Sequence, residues 1–199
     1  MKKILFLQLL PILSGVQNFM LHLIDGLDRA EYEIHVASFP GPDLQEALRQ
    51  RNITHIPLPW IRREISLWDP ICLLHLIYII NKNAYDVVHT NSSKPGFLGR
   101  IAASLCKTPI IVHTAHGTPF RDDQNPLVKR LYISLEALAN RYCHKVVFVN
   151  HADRLRYLEM QIIQEAKATT IYNALPPAKF QSLDRIADAR KYPDAGRIV

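Results

Sequence analysis

Apolar runs of strand length alternate along this chain with stretches of helical period, and that alternation restricts the fold more than any single motif does. Residues 4–10 form an almost continuous apolar run, as expected for a strand buried on both faces of a parallel sheet. After Pro11 and the Ser14-Gly15 pair, VQNFMLHLIDGL at 16–27 carries Val16, Phe19, Met20, Leu23, Ile24 and Leu27 at steps of three and four. That spacing is one face of a helix. The pattern then restarts: 33–38 reads as a strand, 43–51 as a short helix and 54–57 as a brief third strand.

Residues 66–83 look helical and strongly apolar. Residues 86–90 form a strand ending in NSSKPG, where Ser92 or Ser93 can cap the next helix and Pro95 suits its first turn. That helix carries Phe97, Leu98, Ile101, Ala102 and Leu105 on its apolar face. A strand at 109–114, a long helix at 126–142, a strand at 145–149, a helix at about 152–163 and a strand at 168–172 complete the set. Alternating strands and helices mean right-handed βαβ units, so the chain is expected to form an α/β, doubly wound, mostly parallel Rossmann-like domain over residues 1–174. From residue 175 to 199 the texture turns polar and proline-bearing, like a linker. The last residues, Arg197-Ile198-Val199, read as the start of a new strand. The expectation is a piece of a longer protein.

Composition excludes several classes. Hydrophobic content of 48% with 21% charged residues describes a folded chain rather than a disordered one. The 199 residues can bury most of the surface their unfolded form exposes. Cys72, Cys106 and Cys143 are odd in number and widely spaced, and fit neither a disulfide framework nor a zinc pattern. They imply a reducing cytoplasm. MKKILFLQLLPIL has two lysines and an apolar run, but an amphipathic helix pattern follows instead of a small-residue cleavage site, so it reads as a buried first strand. The apolar run at 71–80 is interrupted by His75 and is shorter than the roughly 20 residues a bilayer span needs. The net charge of +6 suits nucleic acid, a membrane surface or small anions. Its scattered placement, without a basic helix, speaks against nucleic acid.

In an open doubly wound sheet, ligands bind outside the carboxyl ends of the strands where strand order reverses. For the commonest order the bordering loops here are Ser14-Gly15-Val16 after the first strand and Asn91 to Gly96 after the fourth. The fifth strand delivers AHGTPF, and with it His116, to the same rim. Gly15 can offer helix N–H groups to an anion or can simply make a tight turn. Asn91, Ser92, Ser93 and Lys94 can bond a polar substrate or cap a helix. A single glycine is no dinucleotide fingerprint, which counts against a nicotinamide enzyme. VHTAHGTPF sets His113 and His116 three apart, but a strand turns such rings to opposite faces, so they make no metal pair. No acidic or cysteine ligand stands near, and no G-x-S-x-G elbow exists. His113 reads as a core residue and His116 as the functional one.

Five segments, SGVQNFMLHLIDGL, YDVVHTNSSKPGFLGRIAA, VHTAHGTPF, VVFVNHADR and TTIYNALPPAKF, in that order resemble the N-terminal half of retaining glycosyltransferases of the GT-B class, family 4. Bacterial lipopolysaccharide, capsule and exopolysaccharide enzymes typify the group. The resemblance covers about residues 1–180 and implies two facing Rossmann-like halves, of which this one mainly holds a glycan or lipid-linked acceptor. The other half, which would begin near 175–199, mainly holds a nucleotide-sugar donor. The resemblance implies that His116 sits at the reacting centre as the catalytic residue and that Ser14, Gly15 and Val16 approach the donor diphosphate. Asn91, Ser92, Ser93, Lys94, Gly117 and Thr118 are the expected acceptor-binding residues. The donor is a substrate, and no cofactor or metal is implied, since helix N-termini and basic residues of the other half neutralise the leaving diphosphate. Retention proceeds in such enzymes by same-face attack, the leaving phosphate helping to deprotonate the acceptor hydroxyl.

The chain departs from the family pattern at three places. Ser14 stands where the loop is usually Gly-Gly, Asn150 where a serine is common, and Asn173-Ala174 where the domain usually closes with Asn-Gly. Trp60, Arg62, Arg63, Trp68 and Lys82 flank the apolar 65–80 region. They read either as a surface for anionic lipid, with the protein cytoplasmic and peripheral at the inner membrane face, or as a helix packed on its own sheet with solvated arginines. Two further readings stand beside the sugar transferase. One is a nucleotide-sugar 2-epimerase on the same fold, and the other a non-catalytic binding module. A reading frame continuing for roughly another domain of ordinary size would exclude the module.

Overall fold

A computed structural model of the protein describes residues 1–173. The expected linker and second-domain start at 175–199 lie outside the described residues, as does Ala174. Seven strands form one sheet: β1 (Lys2–Leu7), β2 (Tyr32–Ser38), β3 (Thr54–Pro57), β4 (Val87–Asn91), β5 (Ile110–Ala115), β6 (Lys145–Phe148) and β7 (Ala168–Thr170). Every pairing is parallel, in the order β3-β2-β1-β4-β5-β6-β7. Six α-helices connect them: α1 (Gly15–Asp25), α2 (Pro42–Arg49), α3 (Asp69–Asn83), α4 (Ser93–Leu105), α5 (Pro126–Arg141) and α6 (His151–Glu159). The expected doubly wound sheet is therefore present, and its order reverses between β1 and β4.

Strand alternation sorts the core into two layers. Ile4 and Phe6 of β1 join Ile34 and Val36 of β2 beneath α1 and α2, against Met20, Ile24, Leu44 and Leu48. Leu5 and Leu7 face the other way, into a larger cluster with Val88, Leu98, Ala102, Ile111 and Phe148 that also takes Leu76 and Ile79 of α3. Full burial of one such side chain contributes about 1.5–3 kcal/mol, so the near-continuous apolar strands follow from having two covered faces.

Helix α4 lies closer to the sheet than its large residues suggested. A Cβ on Gly96 would stand 2.5 Å from His113 Cε1, and one on Gly99 would stand 2.5 Å from Leu7 Cδ2. The sheet-facing side is thus built of Pro95, Gly96, Gly99 and Ala103 together with Leu98 and Ala102. Leu105, expected on the apolar face, is exposed, and Phe97 and Ile101 are only half buried. Glycine and alanine carry a weak apolar signal, which is why the face was misplaced.

Other boundaries shift for local reasons. The run read as strand to residue 10 leaves the ladder at Leu7, although the Gln8 amide still donates to Ala37 O at 2.8 Å. Helix α3 begins at Asp69 rather than 66, because Pro70 fits only the first turn. Helix α6 stops at Glu159 rather than near 163: Gln161 adopts φ 54°, and the Ile162 amide turns back to Tyr157 O at 2.9 Å, burying Ile162 and Ile163 in a turn. In the loop before α3, Trp60 stacks on Trp68 with ring centroids 4.9 Å apart. Leu67 is 95% exposed, and the outer face of α3 leaves Ile71, Leu74 and Tyr78 exposed.

Candidate active site

Parallel pairing puts the carboxyl ends of β1, β4 and β5 side by side. Leu7 is in register with Thr90, Thr90 with His113, and Asn91 with Thr114. The α1 start after β1, Asn91 ending β4 and His116 just past β5 therefore reach one rim, at the point where strand order reverses. Alternation then decides what each side chain meets. Thr90 and His113 point towards α4, whereas His89, Asn91 and His116 lie on the α1 side, where His89 packs on Phe6 and His116 on Phe19.

His116 is half buried, its ring edge-on to Phe19 with centroids 5.1 Å apart. The Asn91 side-chain oxygen accepts from His116 Nε2 at 3.3 Å, which leaves Nδ1 as an acceptor. Burial pushes the His116 pKa down to about 4, so the ring is neutral at physiological pH. His89 is likewise held at about 4, by burial and then by the nearby His116, and its Nε2 pairs with Thr114 Oγ1 at 2.8 Å. His113 is buried with Nδ1 3.0 Å from Thr90 Oγ1, and burial, with the Arg100 charge next, holds it well below the ordinary range. It is a core histidine, as expected. Among the described residues no cluster of three or more His, Cys, Asp or Glu side chains is placed to hold a metal ion.

Ser14 precedes α1 with extended backbone. Its N–H donates to Gln17 Oε1 at 3.2 Å, and its hydroxyl is engaged by the same oxygen. Gly15 begins the helix exposed, with nothing within 4 Å of where a Cβ would sit, and Val16 beside it is half buried. The first N–H groups of α1, at this rim, lack intrahelical carbonyl partners, as at any helix start. Gly117 takes φ +133°, also in open space, and the Thr118 hydroxyl donates to Phe120 O at 3.0 Å within its own loop.

Two expectations at the β4–α4 turn need correction. Ser92 occupies the N-cap position of α4, but neither it nor Ser93 caps the helix through its side chain. Pro95 at the third helical position has no N–H to offer such a cap. Ser92 instead holds φ 66° and ψ 165°, a conformation that favours glycine. Lys94 is not free for an acceptor, because its ammonium is bound to the Asp69 carboxylate and donates to Glu64 O at 2.8 Å, tying the loop before α3 to α4. Asn150, a departure from the family serine, caps α6 by accepting from the Asp153 N–H at 2.7 Å.

Sequence reading named Asn91 but missed Gln8 and Arg100. Gln8, just past the end of β1, and Asn91, the last residue of neighbouring β4, are both 1% exposed, and their amide nitrogens are buried without a hydrogen-bond partner. A lone glutamine inside an apolar strand was the available signal for Gln8. Behind α4, fully buried Arg100 donates to Gly96 O at 2.7 Å and to Glu136 at 2.9 Å, and is bound to the Asn140 side-chain oxygen. Nothing local marks Arg100, since its partners lie 36 and 40 residues away.

Fold and rim together define the class: a doubly wound α/β domain whose strand order reverses beside a neutral histidine and the start of α1. The glycosyltransferase family 4 model matches residues 13–179, and the chain belongs to that family. It is 33% identical over 89% of its length to an Escherichia coli UDP-Gal:α-D-GlcNAc-diphosphoundecaprenol α-1,3-galactosyltransferase, covering 46% of that protein. It is 24% identical over 92% of its length to a Staphylococcus aureus capsular polysaccharide biosynthesis glycosyltransferase, again covering 46%. Among solved structures it is similar to Anabaena HepE in complex with UDP and glucose, with a TM-score of 0.68 at 17% identity, covering 95% of this chain and 51% of that one. The chain thus spans about half the length of the curated relatives it matches.

Proposed function

We propose that this chain is the acceptor-side half of a glycosyltransferase that moves a sugar from a nucleotide-sugar to a lipid-linked acceptor in cell-surface polysaccharide synthesis. The observation that carries the reading is the family match over residues 13–179. The relatives' activities on a diphosphoundecaprenol-linked sugar and in capsule synthesis supply the acceptor class. Both relatives are transferases, which favours transfer over the 2-epimerase. In this reading residues 1–174 form the acceptor-side domain, and a donor-binding domain follows in the same protein. The transfer retains anomeric configuration, without a metal at the diphosphate.

The residues divide the work as follows. The α1 N-terminus at Ser14, Gly15 and Val16 turns backbone N–H groups towards the donor diphosphate, where a helix end contributes about 0.3–1 kcal/mol. Neutral His116, its Nε2–H directed to Asn91, presents Nδ1 as an acceptor to a sugar hydroxyl at the reacting centre. Gly117 and Thr118 line the acceptor approach with Ser92 and Ser93. Among the described residues no helix is long and apolar enough to cross a membrane. The enzyme works in the cytoplasm and meets the inner membrane face through stacked Trp60 and Trp68, flanked by Arg62, Arg63 and Lys82. The test is transfer of labelled hexose from a panel of nucleotide-sugars to prenyl-diphosphate-linked N-acetylglucosamine by the two-domain enzyme. Lipid-linked disaccharide supports the reading, whereas epimerised or hydrolysed donor with no transfer overturns it.

A further inference from the structure

A cavity of about 690 Å³ opens at the rim on the α3–α5 side of the sheet, within the roughly 300–1,000 Å³ of small-ligand sites. Its wall is made by Leu9 and Leu10 after β1, Ile65 before α3, Phe97 of α4, and Leu131 and Leu135 of α5. The inner charges of that wall cancel in pairs, Lys94 with Asp69 and Glu136 with Arg100. Arg63 and Glu64 stand exposed at the edge, and Ser92 and Ser93, next in the chain after Asn91, also line the cavity.

The apolar part of this wall offers little to a purely hydrophilic acceptor. It offers desolvation to a ligand whose polar, reacting end is joined to hydrocarbon. Leu9 and Leu10 follow the end of β1; Leu9 packs partly on the core, and both line the cavity. Ile65 lies in the same loop as exposed Leu67 and Trp68, and Ile71 and Leu74 on the outer face of α3 are exposed as well, so this side of the molecule carries several uncovered apolar side chains.

We propose that this cavity is the subsite for the hydrocarbon adjoining the diphosphate of a prenyl-diphosphate-linked acceptor, with the acceptor sugar reaching past Ser92 to His116. The assignment rests on the transferase reading above and adds where the lipid goes.

Calorimetric titration of the 199-residue chain with two acceptor analogues tests it: N-acetylglucosamine diphosphate esterified with methyl, and the same head carrying a geranyl chain. Each methylene buried corresponds to about fourfold in affinity, so burial of about four carbons makes the geranyl compound bind roughly two-hundredfold tighter. Leu131→Gln with Leu135→Gln should remove most of that advantage and leave the affinity of the methyl compound unchanged. Where that pair lowers the thermal midpoint, Ile65→Gln, in a loop, gives the same reading. Equal affinity for both compounds overturns the subsite and leaves the transferase reading standing. An advantage untouched by these variants places the hydrocarbon elsewhere and also overturns it. Absence of binding by both compounds overturns the subsite together with the acceptor-side assignment. A mass doubling in sedimentation, reversed by Leu131→Gln, would make the wall a contact between two copies of the chain and overturn it too.

Discussion

Acidification from pH 7.5 to 5 should destabilise this domain through its buried histidines. His89 and His116 titrate at about 4 in the fold against an ordinary 6.5, both held down first by burial. A depressed pKa means that the unfolded chain takes up protons which the folded chain refuses. The stability these rings contribute is complete above pH 6.5 and is lost as the pH falls towards 4. At pH 5 the unfolded imidazole is almost fully protonated and the folded one almost fully neutral. This costs about 2 kcal/mol for each ring, or about 4 kcal/mol for the two. His113, held well below the ordinary range by burial and then by the Arg100 charge, adds in the same direction. Most carboxylates stay ionised in both states down to pH 5, so the window isolates the histidines. Urea unfolding followed by far-UV circular dichroism at pH 7.5, 6 and 5 measures the slope. His89→Gln, which keeps a polar end near the Thr114 hydroxyl, should flatten it by about one proton. Midpoints that do not move between pH 7.5 and 5, or a slope indifferent to His89→Gln, would show that these rings are more solvated than their packing implies.

The buried ion pair gives a second expectation: Arg100→Met strands the Glu136 carboxylate and should cost about 3–5 kcal/mol, whereas Arg100→Met with Glu136→Leu should recover most of it, read as thermal midpoints. Gly96→Ala drives a methyl into the His113 ring and should cost about 1–3 kcal/mol despite the better helix propensity of alanine. The penalty should largely vanish in a His113→Ala background, as a double-mutant cycle would show.

The legible parts of this fold were those written in large apolar residues at regular spacing. Strands β1, β2, β4 and β5 and the seam between β1 and β4 were readable because two-sided burial leaves near-continuous Val, Ile and Leu. His116 was readable as a rim residue because it stands just beyond a strand end, and His113 as core because it stands inside one. What was illegible depended on distant partners or on small residues. Arg100 looks like any helix-surface arginine until α5 brings Glu136 and Asn140 against it. Lys94 looked available until the chain folded Asp69 onto it. Leu9 and Leu10 were indistinguishable from strand residues, because a cavity wall and a sheet interior ask for the same side chains.

The central claim is that His116 acts at the reacting centre and is not merely packed there. The most direct measurement is the turnover of sugar transfer by the two-domain enzyme carrying His116→Ala, alongside its thermal midpoint. A positioned polar group at such a centre commonly contributes about 10²-fold or more. The account predicts a turnover lowered by at least about that factor with a midpoint within a few degrees of the parent, a few degrees being about 1 kcal/mol for a domain of this size. Near-normal turnover, or a loss that merely tracks unfolding, would contradict it.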